Sequence, residues 1–309
     1  MADKAKRIQN PAAVGMALAA ALLYGAGTPF SKMLLTAMSP TRLASSLYLG
    51  AGLGMLVLFL LSRLRRRTRT EVGLGGKDMP YVIGMVLLDV LSPILLMVGL
   101  TRTTAANASL LNNFEIVATA CIALLFFREA IGRRMWLAIA LVTLSSILLS
   151  LEDLSAFTFS SGSLFVLGAG LCWGLENNCT RMLSLKDPMQ IVIIKGLGSG
   201  LVALGISMAR GERPPSAPTL LLALLLCFFA FGLSIAAYIL AQRELGAART
   251  SAWYAAAPFI GVALSWLLLH EPVTWRFVAA LAIMLAGAWF AVTESHPHTP
   301  DLHHRHGHS

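Results

Sequence analysis

Apolar runs, most of them about the length a bilayer demands, alternate with short charged or Gly/Pro-bearing breaks along almost the whole chain. A helix crossing the hydrocarbon core needs about 20 mostly apolar residues. By that measure the pattern predicts ten spans, near 12–37, 41–62, 80–101, 104–127, 133–150, 161–183, 188–209, 217–241, 248–269 and 274–293. Linkers are short, apart from 63–79 and the 210–216 stretch with Pro214 and Pro215. In lipid each run satisfies its own backbone hydrogen bonds as a helix, and the polar-in, apolar-out alternation of a barrel is missing. The first span follows Lys4, Lys6 and Arg7 but is too long for the 7–15-residue core of a secretory signal, so it is expected to stay.

Composition sharpens this. Of 309 residues 57% are hydrophobic and 13% charged, with a mean hydropathy of +0.73. A soluble domain carries about 25% charged residues. The basic residues then set orientation, because short inner loops collect Lys and Arg. With the N-terminus inside, seventeen Lys and Arg fall on the inner side and six on the outer, leaving Lys195 within a span. The 151–160 loop holds Glu152 and Asp153 and no basic residue, as an outer loop should. Both termini are therefore expected in the cytoplasm and the protein in the cell inner membrane. The net charge of +9 needs no nucleic-acid partner. Arg63, Arg65, Arg66, Arg67 and Arg69 are placed to meet anionic lipid headgroups.

The chain also matches itself. Tyr24-Gly25 followed by Ser31-Lys32-Met33-Leu34 pairs with Trp173-Gly174 followed by Thr180-Arg181-Met182-Leu183. Ser39-Pro40 pairs with Asp187-Pro188, and Gly50-x-Gly52-Leu53 with Gly198-x-Gly200-Leu201. Ala105-Ala106 and Glu129 match Ala247-Ala248 and Glu271. Four matches in one order mark an internal repeat. Each half holds five spans, an odd number, so the second copy sits upside down, as in transporters that rock about a midplane site. The expected fold is an all-α integral membrane protein of ten transmembrane helices in two inverted five-helix repeats. The organisation is a cytoplasmic segment 1–11, repeats at 12–150 and 161–293, and a His-rich cytoplasmic tail at 294–309.

These residues resemble the EamA repeat of the drug/metabolite transporter superfamily. The likeness lies in the aromatic-Gly pair of each first span and the close of each fourth span. Those closes are Phe126-Phe127-Arg128-Glu129 and Leu269-His270-Glu271-Pro272-Val273-Thr274. The first half departs from the Glu-Pro pattern, with Ala130 after Glu129. Within the superfamily the chain is similar to the YddG-type amino-acid exporters. The resemblance implies ten spans, both termini inside, a central cavity and export of small metabolites.

Ionisable groups deep in a span are expensive and face a cavity or a partner. Asp89, Glu115, Glu176 and Lys195 lie there, with Asn107, Asn112, Asn113, Asn177, Asn178 and Ser92 near them along the spans. An amino acid needs an anion for its ammonium and donors for its carboxylate, and this set offers both. Asp89, Glu115, Glu176, Lys195, Asn112, Asn177, Tyr24 and Trp173 are the candidate path residues. The competing reading makes Lys195 a neutralising link between helices. Tyr238, Trp253, Tyr254 and Trp266 are candidates for ring stacking or for anchors and filler. Pro29, Pro93 and Pro258 are expected to bend their helices, since proline removes a donor. The paired glycines read as packing sites. Glu129 and Glu271, at span ends where charge is cheap, read as caps or ion-pair partners.

Four cysteines lie in spans and imply no disulfide framework. Six of the seven histidines crowd the tail, read as a solvated tail rather than a metal site. No zinc-protease helix, phosphate loop or nucleophile elbow is present, so no enzyme activity and no cofactor are expected. The function expected is secondary export of small metabolites, foremost aromatic or other neutral amino acids, with proton coupling as one option. Phosphorylated metabolites or nucleotide sugars stand second, and a non-transporting scaffold or receptor third.

Overall fold

The computed structural model describes residues 11–64, 74–127, 131–153, 158–183, 186–245, 250 and 253–293. Several helices begin where a short polar side chain takes up a free N–H of the first turn. Thr104, Ser160, Asp187, Ser216 and Thr274 each do so, Asp187 accepting from Met189 N at 2.9 Å and Thr274 from Phe277 N at 3.2 Å. Among the described residues ten helices result. They are α1 (Pro11–Leu34), α2 (Pro40–Leu64), α3 (Met79–Leu100), α4a (Ala105–Leu111) with α4b (Phe114–Phe127), and α5 (Arg133–Ser150). Then follow α6 (Ser161–Met182), α7 (Pro188–Ala209), α8a (Ala217–Cys227) with α8b (Ser234–Leu245), α9 (Ala257–Leu269) and α10 (Trp275–Val292). Eight of the ten spans are long and apolar enough to cross a membrane. The others are α6, which carries Glu176, Asn177 and Asn178, and α9, only 13 residues long.

Two details depart from the expected spans. Within the 151–160 loop Leu151–Asp153 and Thr158–Phe159 pair as a short antiparallel ladder, a small addition to a helical fold. The ninth span, expected over 248–269, is interrupted: residues 250, 253 and 254 are helical, the chain turns at Ala255 and Ala256, and the long segment runs Ala257–Leu269. The His-rich tail lies outside the described residues.

The burial pattern inverts that of a soluble protein. Ala13, Ala17, Ala20 and Ala21 are fully buried, whereas Leu125, Phe126 and Leu267 are each more than 70% exposed. Lipid is as apolar as leucine, so helices gain by close approach over small residues rather than by hiding large ones. The α2–α7 crossing carries this furthest. A Cβ on Gly196 would lie 2.6 Å from Gly52 Cα, and one on Gly200 would lie 2.8 Å from Leu49 N. Serines tie other pairs together: Ser145 Oγ donates to Ala280 O at 2.7 Å, and Ser234 Oγ to Ala20 O at 2.9 Å.

Helices pack as α2 on α7, α5 on α10, α3 on α6, α1 on α8b, α4b on α6, and α1 on α9. Polar clamps hold α7 at both ends, to the start of α2 at one and to the start of α3 at the other. At one end Glu212 accepts from Ser39 Oγ at 2.6 Å and from Ser207 Oγ at 2.7 Å. Burial acts to raise the Glu212 carboxyl, but hydrogen bonds from Ser39, Ser207 and Thr41 and the Arg210 charge bring it below the ordinary glutamate range. At the other end Lys186 Nζ sits 2.9 Å from Asp78 Oδ2. Glu271 is an end cap, accepting from Ala105 N at 2.6 Å and Ala106 N at 2.8 Å at the start of α4a. Glu129, its match in the repeat, lies outside the described residues.

Candidate functional site

Helical regularity is lost at three places, and all three border one cavity. Helix α4 breaks at Asn112 and Asn113, α8 winds into a π-helical turn at Phe228–Leu233, and the chain turns at Ala255–Ala256 before α9. Irregular backbone inside a membrane is tolerated where it lines a cavity or is buried in protein. The cavity measures about 360 Å³, within the range for small-molecule sites.

Pro29 and Pro93 are buried inside uninterrupted α1 and α3. Neither breaks its helix. Pro258 does line the cavity, but it stands in the first turn of α9, where its missing N–H costs no helical bond. The chain turns at Ala255–Ala256 just ahead of it.

One wall of the site is a polar relay drawn from four helices, α2, α3, α6 and α7. Trp173 Nε1 donates to Tyr48 OH at 3.3 Å, and Tyr48 OH donates to Asp89 Oδ1 at 3.0 Å. Lys195 Nζ then bridges two acids, at 3.1 Å from Asp89 Oδ2 and 2.9 Å from Glu176 Oε2. Both carboxylates are buried, at 0% and 1% exposure, while the lysine side chain keeps 27%. Thr180 Oγ1, one turn beyond Glu176, donates to its Oε1. Trp173, Glu176 and Thr180 share a face of α6 through their three- and four-residue spacing. Glu115 stands apart from the relay. Its Oε1 accepts from Asn177 Nδ2 at 2.6 Å, and the same nitrogen lies 3.2 Å from Thr119 Oγ1. Among the described residues Glu115 forms no ion pair.

The remaining lining is aromatic and apolar. Tyr24 packs against Phe231 and Tyr254 with ring centroids 5.4 Å and 5.5 Å apart, and Tyr238 supports Tyr254 at 5.0 Å. Seven of the eight path candidates line the cavity: Tyr24, Asn112, Glu115, Trp173, Glu176, Asn177 and Lys195. Asp89 lies behind Lys195 and does not. Asn178 turns away from its neighbour and donates to Gly174 O at 2.8 Å. Trp266 packs on Phe277. Tyr48 and Phe231 line the cavity without having been singled out, and Asn113, named beside the buried charges but not as a path candidate, lines it too. Tyr48 had one signal in the sequence, a hydroxyl beside the Gly50–Gly52 pair that brings α7 close. Among the described residues no group of three or more His, Cys, Asp or Glu is placed to hold a metal ion.

The geometry can bind a small organic solute bearing hydrogen-bond donors and an apolar body. The model of the EamA-like transporter family matches residues 11–151 and 160–293. An uncharacterized transporter of Methanothermobacter thermautotrophicus is 27% identical, over 88% of this chain and 83% of that protein. The uncharacterized transporter YyaM of Bacillus subtilis is 21% identical, over 87% of this chain and 90% of its own. A solved crystal structure shares the fold with a TM-score of 0.61 at 14% identity, covering 91% of this chain and 95% of the other.

Proposed function

The chain belongs to the EamA-like transporter family, and from that premise we propose that this multi-pass membrane protein exports small amine-bearing metabolites, foremost aromatic or other neutral amino acids. The observation that carries the reading is Glu115, a carboxylate on an aromatic-lined cavity with no ion-pair partner among the described residues. A solute ammonium supplies that partner. The two-repeat plan is supported by the helix pairings. Exchanging each helix with the one five places on returns the same set, with α3–α6 becoming α8–α1 and α4–α6 becoming α9–α1. Such exchange is what rocking between two inward- and outward-open states needs. Phosphorylated solutes fit less well. A dianion wants two or more basic groups, and Lys195, the one basic residue on the cavity lining among the described residues, already faces two acids.

Reconstituted into liposomes loaded with a panel of labelled amino acids, the protein is expected to release at least one aromatic or neutral member faster than empty liposomes do. Repeating the assay with a proton gradient tests coupling. No release across the panel from folded protein would overturn the reading.

The proposed orientation, in the inner membrane with both termini in the cytoplasm, has its own test. Phe159→Cys is expected to react with an impermeant thiol reagent added outside intact cells, and Lys77→Cys only after the membrane is opened. The reverse pattern would overturn the orientation, and labelling of both from the same side would overturn the span count on which the inverted repeat rests.

A further inference from the structure

We infer that the cavity selects its solute by net positive charge, so that an organic amine without a free carboxylate binds better than the matching amino acid. This rests on the transporter reading above and names the feature of the solute that the site reads.

Charge balance comes first. The charged groups on the lining are Glu115, Glu176 and Lys195, with Asp89 directly behind Lys195. Three carboxylates therefore face one ammonium. From α1, the π-turn and the turn before α9, the groups facing them are Tyr24, Phe231 and Tyr254, none of which is cationic. Lys195 spends its charge on Asp89 and Glu176, both within 3.1 Å. A solute carboxylate arriving at Lys195 would be a third anion around one cation, in surroundings that screen charge poorly. A solute ammonium meets the opposite field.

Hydrogen-bond capacity points the same way. Glu115 has Oε1 held by Asn177 and Oε2 without a hydrogen bond among the described residues. Asn112 Oδ1, in the break of α4 three residues before Glu115, is buried with no hydrogen-bond partner. Both open positions are acceptors. An ammonium carries three donors and can serve both; a carboxylate can serve neither. The rings of Tyr24, Phe231 and Tyr254 add faces that attract a desolvated cation.

The test uses matched solutes that differ only in charge: tryptamine, tryptophan and indole-3-propionate, then isoamylamine, leucine and isocaproate. Each is titrated against the purified full chain, with thermal stabilisation as the binding readout, and in liposomes as a competitor of the labelled amine. At least one amine is expected to half-saturate at a concentration tenfold or more below that of its parent amino acid, with the acid of that series failing to bind. Glu115→Gln, confirmed monodisperse, is expected to erase the amine's advantage. An amino acid that binds as tightly as its amine in both series would overturn the selectivity while leaving amino-acid export standing. Binding by none of the six would overturn the inference, and the liposome release panel would then decide the export reading separately. An amine preference that survives Glu115→Gln would overturn the assignment to this carboxylate.

Discussion

Lys195→Met is expected to lower the stability of the purified protein by about 3–5 kcal/mol, the usual cost of removing one partner from a buried ion pair. The size follows from the geometry. Lys195 is the common partner of Asp89 and Glu176, which are 0% and 1% exposed, so its loss strands two acids rather than one. Rescue should therefore come in steps. Asp89→Asn added to Lys195→Met restores part of the loss, and Glu176→Gln added to both restores most of the remainder. Thermal unfolding in detergent of the wild type, Lys195→Met, its two double variants with Asp89→Asn or Glu176→Gln, and the triple variant measures this. A stable Lys195→Met, or one rescued fully by either single neutralisation, would contradict a shared bridge. Transport should fall sharply in Lys195→Met as well, because Glu176 lines the cavity and would face it without its cation.

The second large effect is steric. At Gly196 an added Cβ would meet Gly52 Cα at 2.6 Å and Gly52 N at 2.6 Å, backbone atoms that yield only if the helices part. Gly196→Ala is expected to destabilise by about 1–3 kcal/mol or more, as overpacking does. Gly205, nine residues along the same helix, has nothing within 4 Å of its would-be Cβ. There the same change is expected to be neutral or to stabilise by roughly 0.5–1 kcal/mol, through helix propensity alone. Opposite signs for one substitution on one helix would place the α2–α7 contact at Gly196. Equal effects at both sites would contradict it. Because Lys195 is the neighbour of Gly196, parting these helices would also move the ammonium from its acids.

The spans were legible in the sequence because crossing a bilayer is a local requirement: one run of residues must be long and apolar enough by itself. The same holds for the cost of burying Asp89, Glu115, Glu176 and Lys195, which marked them for a cavity or a partner before any helix was placed. The repeat, too, is a property of the string of residues. Pairing is not local. Nothing along the chain says that Lys195 on α7 meets Asp89 on α3 and Glu176 on α6 while Glu115 on α4b is left to Asn177, since helical spacing identifies a face but not what faces it. The irregular points show the same limit. Proline marks a position by its own chemistry but not where a helix opens: Pro29 and Pro93 sit in continuous helices. The breaks instead fall at Asn112–Asn113 and Phe228–Leu233, residues without a strong local signal, on the rim of the cavity. A helix can give up backbone hydrogen bonds only where its surroundings replace them, and those surroundings come from other helices. Which residues must be buried and roughly how deep was therefore set by the sequence alone; which of them meet, and where a helix opens, was decided by packing in three dimensions.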